Sequence, residues 1–170
     1  MKNSYMNQYS CSFSSYCTEQ KKEYLDNALV DWQKIRNIMR QQVIQLIEKE
    51  VYIFYTGLDL GAEQLGALIV LELKEQYPHL RLYAVLSCGN QSDGWKEVQK
   101  RDFFDILSRC DEVMVLYNVY TPQCSAKQVQ YIVDHSEYVI FAYKKALFKE
   151  KSYLLEYARN NECKITKITF

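Results

Sequence analysis

Short β-prone apolar runs alternate with segments of helical period along nearly the whole chain, and few folds accommodate that pattern. "YSCSFS" (9–14) reads as a short strand. From about 28 to 49, Ala28, Trp32, Ile35, Met39, Val43 and Leu46 recur at steps of three and four, one buried helical face. "VYIFYT" (51–56) is a continuous β-prone run stopped by Gly57, and residues 60–76 are helical until Pro78 disfavours helix at Tyr77. "RLYAVLS" (81–87) is a strand, 88–94 a loop and 95–109 a helix. "EVMVLY" (112–117) reads as another buried strand. Thr121 as N-cap and Pro122 at the first helical position open the next helix. "YVIFAY" (138–143), a helix near 150–161 and "KITKITF" (164–170) complete the series.

Such alternation implies right-handed βαβ crossovers. The expected fold is a Rossmann-like three-layer α/β sandwich, with a mainly parallel sheet of about six strands and helices on both faces. Ligands of such sheets sit beyond the C-terminal strand ends, so chemistry is sought in the loops that follow each strand.

The bulk properties narrow the classes. At 170 residues with 48% apolar content, one domain is expected, over 9–170, with residues 1–8 polar and loose. Lys+Arg and Asp+Glu both number 21, so the formal charge is zero, and a dominant polyanion-binding role is not expected. The N-terminus has no apolar stretch of signal-peptide type, and no segment has the length of a membrane span. The six cysteines have no regular framework and read as reduced cytosolic thiols, which gives a cytoplasmic expectation. Cys17, Cys88 and Cys124 fall at one sheet edge, but their spacing matches no zinc pattern, and no metal or cofactor is expected.

The loop after the second strand, "TGLDLGAE" (56–63), carries the strongest signal. Gly57 can take a positive φ and bring the backbone close to a ligand. Gly61 sits where the helix N–H groups and dipole favour an anion. A plain strand–helix turn fits the same residues, because neither GxGxxG nor GK[ST] is present. In the later loops Trp95 can stack on a base or pack its helix onto the sheet. Thr121 can donate to a ligand or serve only as a cap. Cys124 lies where a helix dipole can lower a thiol pKa, but no base is evident. "KKALFKEK" (144–151) has no glycine, and its Lys144 and Lys145 can meet an anion or water. His135 reads as a partner for the last helix carbonyls, and His79 as a turn residue.

Taken in order, "YTGLDLGAEQLGALIVLELKEQYPHLRLYAVLSC", "GW" (94–95), "RCDEVMVLYNVYTPQC" and "YIVDHSEYVIFAY" resemble the YoqJ/YpsA-like branch of the SLOG superfamily. That superfamily also contains the DNA-processing protein A and the Lonely Guy phosphoribohydrolases. The resemblance covers roughly residues 9 to 169. It implies a Rossmann-like sheet with a nucleotide-related ligand at the strand C-termini. It sets the family's turn on Thr56, Gly57, Leu60, Gly61 and Glu63, and its other blocks on Trp95, Tyr120, Thr121, Pro122 and Asp134.

The departures from the family are as informative. A "TGHRP"-like turn is replaced by "SSYCTE", the Arg/Asn-rich helix start by "AKQVQY" with Lys127, and a late glycine-rich turn by "KKALFKEK". The PGGxGTxxE signature of glycosidic cleavage is absent. Asp59 stands where the family has a small residue. It can cap the helix, worth about 1 kcal/mol, and would repel a phosphate. A micromolar ligand needs about 8 kcal/mol in all, so other loops must contribute.

The expected function is therefore binding of a nucleotide-derived small molecule, as a sensor or regulatory domain without catalysis. Thr56, Gly57, Asp59, Gly61, Glu63, Trp95 and Thr121 would line the site. The alternatives are an N-glycosidic hydrolase of a nucleotide derivative with Glu63 as acid or base, or an interaction module on a decayed scaffold that binds protein or single-stranded nucleic acid. A homo-oligomer fits the last, nucleic acid is not favoured, and no membrane is expected.

Overall fold

The computed structural model describes residues 9–15, 31–143 and 152–169. β1 (Ser10–Ser15) is followed by α1 (Trp32–Ile47), β2 (Ile53–Thr56), α2 (Ala62–Leu73), β3 (Arg81–Leu86), α3 (Glu97–Ser108), β4 (Glu112–Val115), α4 (Cys124–Asp134), β5 (Tyr138–Tyr143), α5 (Tyr153–Asn160) and β6 (Lys164–Thr169). The strands form one six-stranded sheet in the order β4-β3-β2-β1-β5-β6, and every neighbouring pair is parallel. The Rossmann-like α/β expectation is met. Ala28, Cys17 and residues 144–151 lie outside the described residues.

Side-chain alternation sorts the two layers. Cys11, Phe13, Phe54, Leu82, Ala84, Ile140 and Ala142 point one way into a core shared with Ile35, Met39 and Val43 of α1, Ala67 and Val70 of α2, and Phe103 and Ile106 of α3. Val139 and Phe141 point the other way, against Val133 of α4 and Leu154, Leu155 and Ala158 of α5. α2 comes closest to the sheet. A Cβ built on Gly66 would lie 2.4 Å from the ring of Phe13, itself stacked on Phe54 at 5.8 Å.

Local chemistry sets the helix ends. Asp31 accepts the Lys34 N–H at 3.0 Å and starts α1. α1 ends with Val51 N–H donating to Leu46 C=O and Glu50 N–H to Ile47 C=O, both at 3.0 Å, and Glu50 takes the left-handed position at φ 64°. The Lys74 ammonium, just past α2, donates to both oxygens of Asp111 at 2.8 and 2.7 Å, and Asp111 also accepts the Leu82 N–H at 2.8 Å.

Burial alone would raise the Asp111 carboxyl. The Lys74 and Leu82 hydrogen bonds outweigh it and hold the group below the usual aspartate range. A depressed folded pKa adds stability that is complete above the unfolded value and is lost as pH falls through the folded one. Because Asp111 is exposed and asparagine can still accept the Leu82 N–H, Asp111→Asn is expected to cost about 0.5–1 kcal/mol at neutral pH. The deficit should shrink as pH falls through the lowered Asp111 pKa, when parent and variant are compared by urea denaturation at neutral and at acid pH.

Two sequence expectations are corrected. The run "EVMVLY" was expected to form a buried strand, yet all four residues of β4 are exposed. Among the described residues β4 is the last strand of the sheet, paired with β3 on one side only. Apolarity along a run does not distinguish a covered central strand from an apolar edge. Thr121 and Pro122 do not open α4: its N-cap is Gln123, two residues later. The Thr121 N–H donates to Cys124 Sγ at 3.1 Å and the Cys124 N–H to Thr121 C=O at 3.1 Å. These bonds close a turn that holds Pro122 ahead of the helix.

Candidate functional site

Three loops meet at the C-terminal edge of β2, β3 and β4. The first runs from Thr56 to Gly61. The buried Thr56 hydroxyl donates to Glu63 C=O at 3.2 Å and accepts the Leu58 N–H at 3.1 Å. Glu63 Oε2 accepts the Asp59 N–H at 3.2 Å, and Gln64 Nε2 donates to Leu58 C=O at 3.1 Å. The turn thus supplies acceptors for its own amides. A carboxylate oxygen of Glu63 takes an amide that the sequence offers to an anion.

The backbone solution differs from the sequence expectation in its details. Gly57 is not among the residues with positive φ; Leu58 (φ 56°) and Gly61 (φ 97°) are. Gly57 is needed for space, because a Cβ there would lie 2.7 Å from both Gln128 Nε2 and Glu63 Oε2. Gly61, rather than Asp59, occupies the N-cap of α2, at ψ −121°, where a side chain is not tolerated. Leu58 is fully buried, and its core packing offsets the cost of a left-handed leucine.

Side chains tie the loops together. Gln91 accepts the Ser87 N–H at 2.9 Å and donates through Nε2 to Gly57 C=O at 2.7 Å. Gln128, buried on α4, donates to Val85 C=O at 2.7 Å and to Gly57 C=O at 3.4 Å. Asn90 Oδ1 accepts the Tyr120 N–H at 2.9 Å, and the Gly89 N–H donates to Tyr117 C=O at 2.9 Å. The sequence reading missed Gln91, Gln128 and Asn90. For Gln128 a signal existed: Cys124, Gln128 and Ile132 form the buried stripe of α4, and a glutamine on such a stripe must find polar partners.

Thr56, Gly57, Asp59, Gly61 and Glu63 therefore share one turn. Trp95 and Thr121 stand on the adjoining loops. The Trp95 ring packs edge-on against Phe103 at 5.3 Å, and Thr121 Oγ1 lies 3.3 Å from Cys124 Sγ. Cys124 is fully buried. His135 bonds a late helix carbonyl as expected, Nδ1 to Tyr131 O at 2.7 Å, and its ring stacks on Tyr131 at 4.1 Å. Beneath the loops Tyr55 meets Tyr83 edge-on at 5.5 Å, and burial pushes the Tyr55 phenol up to about 12. Among the described residues no group of three or more His, Cys, Asp or Glu could hold a metal ion, and no helix is long and apolar enough to cross a membrane.

A parallel sheet in this order, with a glycine-bounded turn after β2, is the architecture that the family resemblance implies. The family model described as the YspA SLOG family matches residues 25–170. The chain belongs to the YpsA SLOG family. It is similar to a UPF0398 protein of Brevibacillus brevis, 28% identical over 114 residues that make up 64% of this chain and 59% of that protein. A UPF0398 protein of Halalkalibacterium halodurans is 28% identical over 130 residues, 75% of this chain and 69% of that one. The uncharacterized SPbeta prophage-derived protein YoqJ of Bacillus subtilis is 28% identical over 123 residues, 65% and 72% of the two chains. The chain thus spans only about three fifths of the length of the Brevibacillus relative.

Proposed function

We propose that this YpsA-family chain binds a nucleotide-derived small molecule at the C-terminal edge of β2–β4, in a sensing or regulatory role without catalysis. The observation that carries the reading is the 56–63 turn. It keeps a buried leucine in left-handed backbone and a glycine roofed by two polar side chains, and strain of this kind concentrates at ligand sites. The three convergent loops and the ligand position usual for such sheets support it.

The hydrogen bonds narrow the ligand. Leu58 and Asp59 N–H already have Thr56 and Glu63 as acceptors. The carboxylates of Asp59 and Glu63 add negative charge at the helix start. A phosphate gains little there, so recognition falls on a nucleoside or sugar moiety. The engagement of Glu63 by a backbone amide favours binding over hydrolysis.

A thermal-shift series with adenosine, NAD, ADP-ribose, cyclic dinucleotides and pyrophosphate tests this. At about 100 times Kd a binder adds roughly 2.7 kcal/mol, a shift of several degrees. A nucleoside-containing compound is expected to raise the melting temperature, pyrophosphate is not, and Gly57→Ala should remove the response. If none of the compounds moves the melting temperature of the parent protein, the reading is wrong.

A further inference from the structure

The two edges of the sheet are finished differently. β6 carries Lys164 and Lys167, both exposed, a device that keeps an edge from recruiting another strand. β4 carries Val113, Met114 and Val115 at 46, 41 and 47% exposure, and the following loop adds exposed Val119 and Tyr120. No lysine, proline or glycine interrupts β4. Among the described residues no strand pairs with its outer edge, and its side chains are half exposed.

We propose that β4 is the interface of a symmetric dimer, in which a second copy of this chain pairs antiparallel with it and continues the sheet. The argument rests on self-complementarity. With the twofold axis at Met114, Met114 lies opposite Met114 of the second copy, and Val113 opposite Val115. Directly opposed residues share a face in an antiparallel pair, so apolar meets apolar on both sides of the sheet. Glu112, the charged residue of the strand, then lies opposite Leu116 of the second copy. Leu116, Tyr117, Lys127, Gln130, Tyr131 and Asp134 line a cleft of about 300 Å³ beside the strand end. Lys127 is an exposed cation there, and symmetry gives two Glu112–Lys127 approaches per dimer. The formal net charge of zero leaves no overall repulsion between copies. A foreign peptide strand would satisfy the backbone groups equally, but nothing would match it to both the valine pairing and the Lys127 cleft. The inference does not depend on the ligand reading.

Sedimentation of the full chain without ligand decides the matter. The parent is expected at twice its 20.2 kDa mass when loaded at about 100 µM, ample for a weak interface. Met114→Lys sets two ammonium groups face to face and should give monomer with an unchanged circular dichroism spectrum. Glu112→Lys should weaken the dimer on the order of tenfold or more, and Glu112→Lys combined with Lys127→Glu should recover it. β4 amides should exchange more slowly as concentration rises, a readout that needs no variant. A parent that stays monomeric overturns the proposal, as does a dimer that survives Met114→Lys or a charge exchange that fails to restore pairing.

Discussion

Gly66→Ala is expected to lower the melting temperature by roughly 6–12 °C, the equivalent of about 3 kcal/mol in a chain of this size. The added methyl would stand 2.4 Å from the Phe13 ring. Phe13 has no room to retreat: it is fully buried and stacked on Phe54, and β1 is held between β2 and β5. Relief must come from lifting α2, which carries Ala67, Ile69 and Val70 into the same core. Alanine is the better helix former by about 1 kcal/mol, so a gain from substituting a helical glycine is the competing expectation. Calorimetry separates the two by sign. A variant as stable as the parent would mean that α2 does not press on β1 as described.

The second large effect is expected at Gln128→Ala, which should cost about 2–4 kcal/mol. The substitution leaves the buried Val85 carbonyl without its 2.7 Å donor and opens a void beneath Gly57. Gly57 C=O keeps Gln91 as a donor at 2.7 Å, so the turn should loosen rather than unfold. Native-state hydrogen exchange should therefore show faster opening around 56–61 than the global loss explains. Gln128→Glu separates charge from shape, because a carboxylate has no N–H for either carbonyl. It should be at least as destabilising as alanine at neutral pH. If Gln128→Ala unfolds like the parent in urea, the two carbonyls are not dependent on this side chain.

Much of the fold was legible because its determinants are periodic. The steps of three and four from Trp32 to Leu46 and the compact runs at 51–56 and 138–143 fix element type, and alternation then fixes a parallel sheet. What escaped depends on position in the sheet. "EVMVLY" reads as buried because its apolarity is continuous, yet strand order sets it at the edge. The candidate site was legible in the same uneven way. Thr56, Gly57, Asp59, Gly61 and Glu63 lie together because they are neighbours in sequence. Gln91 and Gln128 reach Gly57 across 34 and 71 positions, and no spacing rule encodes such a meeting before the topology is known. The role of Gly57 was inverted for the same reason: its crowding comes from Gln128, not from its own φ.

The central place of β1 also has a consequence in time. β1 is made first, but its β5 flank closes only when the chain has grown past the contact of the Ser10 hydroxyl with His135 C=O, 125 positions later. At about 5–20 residues per second, a ribosome leaves that flank unsealed for roughly 6–25 s. One face of the waiting strand is Ser10, Ser12 and Ser14, and the other is Cys11, Phe13 and Ser15. The hydroxyl face can stay hydrated through the delay, while α1 and α2, synthesised next, cover Phe13. A chain that stalls before β5 would therefore present a serine-lined strand flank, a less adhesive surface than the apolar run Val139–Ala142 that will cover it.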